Sequence, residues 1–229
     1  MMIPSTHAEI EQIYLAAELA ECHSLCITAC QSGDGVTSFA TALAERYLLA
    51  GHTTLLVDLN LFNPAFHCID LAQQEDGDVW VEHQDSHQLF VGLPVPKERS
   101  TQLAYKDPNT MRQAVTTWLG TYDRVIIDTS PLLQINQGNI PAQSVASACD
   151  RTILVTLGGS TTANQISQAM TMLDSSRITL LGSVLNLRDQ PSLAEELCRE
   201  VRRLKFIPKR WRDKLTNQLL RSPFLNLPV

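Results

Sequence analysis

An apolar run, Leu25-Cys26-Ile27-Thr28-Ala29, leads through Ser32-Gly33-Asp34-Gly35-Val36-Thr37-Ser38 into an amphipathic run from Phe39 to Ala50. Strand, glycine loop and helix in that order form the context of a phosphate-binding loop, in which glycines let the backbone curve so that amide N–H groups converge on phosphate oxygens. The helix that follows adds its positive N-terminal end. In such a loop the residue before the Thr or Ser is a lysine that reaches the β- and γ-phosphates. Here that residue is Val36. The chain keeps the cradle and lacks the cation, and Val36 is expected to set a branched apolar side chain near the phosphates. One lost charge-assisted contact in a dry site is worth about 2–4 kcal/mol, or ~30- to ~1000-fold in rate.

Apolar and amphipathic segments alternate along the rest of the chain. Residues 7–21 read as a helix with Ile10, Ile13, Ala17 and Ala20 on one face. Thr53 to Asp58 and Arg124 to Asp128 are continuous apolar strands of the doubly buried kind, each ending in a carboxylate. Further strands are expected at 89–93, 152–157 and 180–186, and helices at 109–119, 141–149 and 163–175. The polar stretch 68–88 reads as a loop or irregular lobe. This pattern calls for an α/β fold: a doubly wound, mainly parallel sheet in three αβα layers, with right-handed crossovers. Ligands of such sheets sit beyond the carboxyl ends of the strands, where the glycine loop, Asp58 and Asp128 all fall.

That convergence defines a candidate site. Gly33, Asp34, Gly35, Val36, Thr37 and Ser38 would cradle phosphates, and Thr37, Asp58 and Asp128 offer the hard oxygen ligands that Mg²⁺ takes. Plainer readings stand beside these. Thr37 can cap a helix, and Asp58 and Asp128 can be satisfied by backbone amides at their strand ends. No residue is assigned a catalytic role.

With 229 residues, 44% hydrophobic and 18% charged, the chain suits one soluble globular domain with or without a tail. It has no apolar run of membrane-span length, and Met1 to His7 lack signal-peptide features, so a cytoplasmic location is expected. The six cysteines form no Cys-x-x-Cys pair and read as buried reduced thiols. His83 and His87 have helical metal-ligand spacing, but their surroundings are not helical in pattern. The formal charge of -6 hides an asymmetry: from Arg199 onward nine Lys or Arg face only Glu200 and Asp213. A basic end on an acidic body marks a partner surface, or else a solvated helix face folded back on that body. The expected organisation is an α/β domain over 1–190 and a basic helical extension over 191–229, with helices near 192–204 and 209–221 split by Pro208. With few aromatics in that tail and an acidic body, nucleic acid is not an expected partner.

Three segments together resemble the Walker motifs of the bacterial tyrosine kinases: 32–38, then Leu55-Leu56-Val57-Asp58-Leu59-Asn60-Leu61-Phe62-Asn63-Pro64, then Val125-Ile126-Ile127-Asp128-Thr129-Ser130-Pro131. These enzymes belong to the wider MinD/ParA-like P-loop class, and the resemblance spans about residues 9–190. It implies a P-loop NTPase-like fold and ATP or ADP with Mg²⁺ as cofactor, bound weakly here or not at all. It implies a membrane polysaccharide co-polymerase, or chain-length regulator, as partner in capsule and exopolysaccharide export. A peripheral location at the inner membrane through that partner follows, as does the prospect of a homo-oligomer. In the wider class the position of Asn186 contacts adenine, which makes Asn186 a further cofactor-binding candidate.

The departures are systematic. Val36 replaces the loop lysine, and Gln31 stands where the wider class can carry its signature lysine. The second motif, Asp-x-Asp-x-Arg in the family, reads Asp58, Asn60 and Phe62. The Glu-x-x-Arg-x-x-Arg of the N-terminal helix, used in ring assembly, is broken whether counted from Glu9 or from Glu11. The family's C-terminal tyrosine cluster is absent, Tyr122 being the last tyrosine. The resemblance therefore implies a catalytically impaired relative. The alternatives are a weakly active ATPase or tyrosine kinase of the same pathway, with Arg188 standing in for the lysine, and a MinD/ParA-like positioning or scaffold protein.

Overall fold

The computed structural model describes residues 3–69, 79–134, 138–188, 193–203 and 209–221. They divide into two compact units, 1–186 and 187–229. The first unit holds one eight-stranded sheet in the order β3-β4-β5-β2-β6-β1-β7-β8. Its strands are β1 (Ser24–Ala29), β2 (Thr54–Leu59), β3 (Phe66–Ile69), β4 (Trp80–His83), β5 (Leu89–Leu93), β6 (Arg124–Thr129), β7 (Arg151–Leu157) and β8 (Leu180–Asn186). From β5 to β8 every pairing is parallel, whereas β3 and β4 are antiparallel additions beyond β5.

β1, β2 and β6 are buried along their whole length, as their unbroken apolar runs require. Alternate residues serve two cores. Leu25, Ile27, Leu56 and Ile126 face helices α1 (Ala8–Leu19) and α2 (Val36–Leu49). Cys26, Leu55, Val57 and Ile127 face α4 (Pro108–Leu119), α5 (Ala142–Ala146) and α6 (Ala163–Ser175). Starts are marked locally: Asp107 accepts a hydrogen bond from the Thr110 N–H ahead of Pro108, and Thr162 and Gln165 form a capping box at α6. A short helix, α3 (Arg99–Ala104), buries no residue, so no apolar face announces it.

One expectation is corrected. The segment 68–88 is not simply a loop, because β3 ends and β4 lies within it. Both strands are short and mostly half-exposed, with Val81 as β4's buried residue, so alternation is too brief to be read among polar neighbours. The acidic centre of that segment, 73–78, lies outside the described residues. On the terminal strand β8, Gly182, Ser183 and Leu185 are exposed.

The second unit contains α7 (Leu193–Arg203) and α8 (Lys209–Leu220). Ala194, Cys198 and Thr216 are buried, and the Cys198 thiol lies 3.6 Å from the Thr216 carbonyl. Leu193, Leu197, Leu215 and Leu220 are exposed. The split at Pro208 and the tail beyond Arg221 lie outside the described residues.

Helix α1 is fixed to the sheet by charge. Arg124, at the start of β6, donates from Nη2 to both Glu18 carboxylate oxygens at 2.8 and 3.0 Å and stacks over the Tyr47 ring. Glu11 receives the Arg46 guanidinium, which lies 3.9 Å above the Tyr14 ring and holds the Glu11 carboxyl below its usual range. Replacing Arg124 by Met strands the half-buried Glu18 carboxylate, and chemical denaturation should show a loss of about 2–4 kcal/mol. A variant as stable as the parent would contradict this role.

Candidate functional site

The loop after β1 has the backbone that its glycines were expected to allow. Gly33 (φ +92°) and Gly35 (φ +105°) both lie in the left-handed region, and Gly35 occupies the N-cap position of α2. Val36 then turns inward. It is only 7% exposed and belongs to the apolar core shared by α1, α2 and the sheet. The branched side chain at the lysine position packs on the inward face of α2's first turn.

Thr37 does not cap α2, which has no side-chain cap. Its hydroxyl donates to Asp128 Oδ2 at 2.5 Å. The other oxygen of Asp128, Oδ1, is buried and has no hydrogen-bond partner among the described residues. Asp58 stands next to Asp128 in the β2–β6 register, yet its surroundings differ. Its Oδ1 accepts from the Asn60 N–H at 2.9 Å and its Oδ2 from the Ala65 N–H at 3.0 Å. The geometry brings Thr37 and Asp128 into contact and engages Asp58 with backbone amides. Ser38 is half-buried on the first turn of α2, and its carbonyl accepts from the Thr41 hydroxyl at 3.0 Å.

Asp34 and Asn186 point at the loop itself. Asp34 is 2% exposed, and its Oδ2 accepts from the Gln31 N–H at 3.2 Å and the Thr161 hydroxyl at 3.3 Å. Asn186, at the end of β8, donates from Nδ2 to the Asp34 carbonyl at 2.9 Å. The Ser32 N–H is received by Gln134 Oε1 at 3.0 Å. Sequence reasoning missed Thr161 and Gln134. The cluster Gly158-Gly159-Ser160-Thr161 at the carboxyl end of β7 was a signal for the first, and Gln134 carried none. Arg188 belongs to the second unit. His83 and His87 find separate partners: the His83 ring accepts from the Ser86 N–H, and His87 lies 2.7 Å from Glu82.

Burial raises both aspartates. It pushes Asp58 up to about 6 against the pull of its backbone hydrogen bonds. It holds Asp128 well above the usual carboxyl range, with the Asp58 charge adding to the effect and the Thr37 hydroxyl opposing it. No lysine offsets this at position 36. A buried carboxylate oxygen without a partner, beside a hydroxyl and an amide-lined turn, fits a hard cation such as Mg²⁺. Thr37 and Asp128 could hold it, with Asp58 next to them, and the backbone of Gly33 to Ser38 could hold phosphate.

No protein-family model matches the chain. Over 176 residues it is 28% identical to the tyrosine-protein kinase CpsD of Streptococcus agalactiae, covering 71% of this chain and 74% of that one. Its fold is that of the kinase domain of the Escherichia coli tyrosine kinase ETK, with a TM-score of 0.59, 21% identity and coverage of 81% and 80%. The septum site-determining protein MinD of Pyrococcus horikoshii, complexed with Mg-ADP, gives a TM-score of 0.52 at 19% identity, covering 84% and 76%.

Both aspartates titrate higher in the folded protein than near the unfolded value of about 3.9. The stability they contribute is therefore complete below that value and is lost as pH rises through about 6 for Asp58, and higher for Asp128. Asp128→Asn removes one ionisation and keeps an oxygen for the Thr37 hydroxyl. Relative to the parent, this variant should gain stability between pH 5 and pH 8, read from thermal unfolding. A difference that does not change with pH would contradict the assignment.

Proposed function

Since the chain belongs to the bacterial tyrosine kinase, MinD/ParA-like P-loop family, we propose that it is a catalytically impaired accessory protein of exopolysaccharide or capsule biosynthesis and export. It acts by binding a membrane polysaccharide co-polymerase, and so works in the cytoplasm at the inner-membrane surface. The observation that carries this reading is Val36, whose side chain belongs to the core where a phosphate-binding loop would present a lysine. Phosphoryl transfer depends on positioning and on neutralising charge at the transferred group. Positioning elements remain here, and the central cation does not.

Bound nucleotide would supply phosphates to the Gly33–Ser38 backbone, and Mg²⁺ would bring positive charge to Thr37, Asp128 and Asp58. Thr37 orients its hydroxyl on Asp128, and Asp128 keeps a lone oxygen for the metal or a proton. Glu11, which begins one possible register of the family's assembly motif, is engaged within the chain by Arg46. That favours a protein that does not assemble as the kinases do. The exposed Arg199, Arg203, Lys214 and Arg221 of the helical unit suit acidic segments of the co-polymerase or anionic headgroups, where each cation is worth about 1 kcal/mol.

A second reading, a weak ATPase, is favoured by the Thr37–Asp128 contact, because a site relieved of catalysis has no need to retain it. The two readings separate on turnover. Purified parent protein should hydrolyse Mg-ATP no faster than Asp128→Ala, and Val36→Lys should raise the rate ~30- to ~1000-fold. Hydrolysis by the parent that disappears in Asp128→Ala would install the enzyme reading instead. Charge reversal at Arg202, Arg203, Arg210 and Arg212 should abolish recruitment to membranes carrying the co-polymerase. Undiminished recruitment would overturn the role given to the basic helices.

A further inference from the structure

We propose that the outer edge of β8 pairs with the same edge of a second copy of this chain. The two strands run antiparallel about a two-fold axis between their Val184 residues, so that two sheets join into one. The contact needs no nucleotide and does not rest on the reading of the glycine loop.

β8 is the last strand of its sheet and pairs with β7. Which of its backbone groups face β7 follows from two hydrogen bonds. The Val184 carbonyl accepts from the Thr156 hydroxyl at 3.1 Å, and the Asn186 carbonyl accepts from the Gly158 N–H at 2.8 Å. Backbone groups alternate in direction along a strand, so the N–H and C=O of Ser183 and Leu185 face the open side. Among the described residues no strand lies beyond β8 to receive them. A row of unpaired strand groups is a template for another strand.

Sheet edges are ordinarily blunted by brevity, charge, proline or a bulge. The opposite edge of this sheet shows two of these devices. β3 has four residues, and its His67 ring lies 3.0 Å from the Glu82 carboxylate. β8 has seven residues, Leu180-Leu181-Gly182-Ser183-Val184-Leu185-Asn186, with no charge and no proline. The register shift between Thr152 and Ile153 falls at its start, and residues 182–186 then pair with β7 in unbroken succession. This stretch is also uncovered. Leu185 is 60% exposed, and a Cβ built on Gly182 would meet nothing within 4 Å.

A second β8 fits this edge better than a foreign strand does. Pairing centred on Val184 sets Ser183 of each chain opposite Leu185 of the other, and each such pair exchanges both of its N–H···O bonds. The groups that face outward are therefore the groups that the two-fold axis requires. Val184 meets its own copy in the pair between them, where side chains come closest. Centring on Ser183 instead would set Leu185 against Leu181, where the register shift interrupts the alternation. A foreign strand is selected by pockets for its alternate side chains, and an exposed glycine and serine build none. The formal charge of -6 opposes contact between copies elsewhere, whereas an uncharged strand brings no like charges together. Such a contact is isologous and closes at two copies. One strand pair is small for an interface, so association belongs in the micromolar range.

The test is sedimentation of the full chain across that range, with and without Mg-ADP, for the parent and Leu185→Lys. The parent should form dimers without nucleotide. Leu185→Lys changes an exposed side chain, so thermal unfolding should match the parent, while a charge on the pairing edge should weaken dimerisation at least ~tenfold. A parent that stays monomeric, a dimer that requires Mg-ADP, or a dimer undiminished in Leu185→Lys would overturn the proposal. Protection of the Ser183 and Leu185 amides from exchange at dilutions where the chain is monomeric would show the edge covered within one chain, and would overturn it as well.

The register is read by oxidation. Val184→Cys should give dimers disulfide-linked through position 184 of both chains, mapped by mass spectrometry. Ser183→Cys should give none through position 183, because those positions are offset diagonally across the axis. The reverse pattern would contradict the two-fold axis at Val184.

Discussion

Two buried carboxyls stand side by side at the carboxyl ends of adjacent parallel strands, with no lysine in the loop that faces them. The rest of the site follows from how that charge is managed. Asp58 leans on backbone amides, so its partners are part of the fold. Among the described residues Asp128 has the Thr37 hydroxyl as a partner and one oxygen without a hydrogen bond, which suits a proton or a cation. The β2–β6 register, set by two continuous apolar strands, forces this proximity. It cannot be relaxed without sliding the centre of the sheet, because shifting one strand by a residue exchanges its two faces.

Binding and chemistry make separable demands on such a loop. Binding needs curved backbone, a helix N-terminus and oxygen ligands, and these are supplied by glycines and by the sheet. Chemistry needs a cation at the transferred group, which a single side chain supplies. Val36 stands where that side chain would be and joins the apolar cluster under α2. Side chains from beyond neighbouring strand ends hydrogen-bond to the loop. The same economy appears at α1, where Glu11 and Glu18 are both engaged within the chain by arginines.

Much of this was legible in the residues. Long apolar strands and the glycine loop are strong local signals, and β1, β2, β6 and β7 lie within a residue or so of their expected bounds. Asp58 and Asp128 were recognisable because each ends such a strand. The antiparallel β3–β4 lobe was not, because strands of four residues pairing at a sheet edge carry too few alternations to rise above polar surroundings. Val36 was recognised by its place in the motif, but the direction of its side chain depends on the tertiary core. The bonds of Asn186, Thr161 and Gln134 to the loop join residues more than a hundred positions apart. Such contacts come from the order of the strands and leave no mark in local sequence.

If the loop is a cradle without its cation, the γ-phosphate finds no added positive charge there. The most direct measurement is calorimetric titration of Mg-ATP against Mg-ADP into the purified full chain at one ionic strength. The account gives the two nucleotides dissociation constants within about threefold of one another, since ~1.4 kcal/mol corresponds to a factor of ten. Mg-ATP bound more than about tenfold tighter than Mg-ADP would show that another group has taken the lysine's place, and would contradict the claim on which the structure has been read.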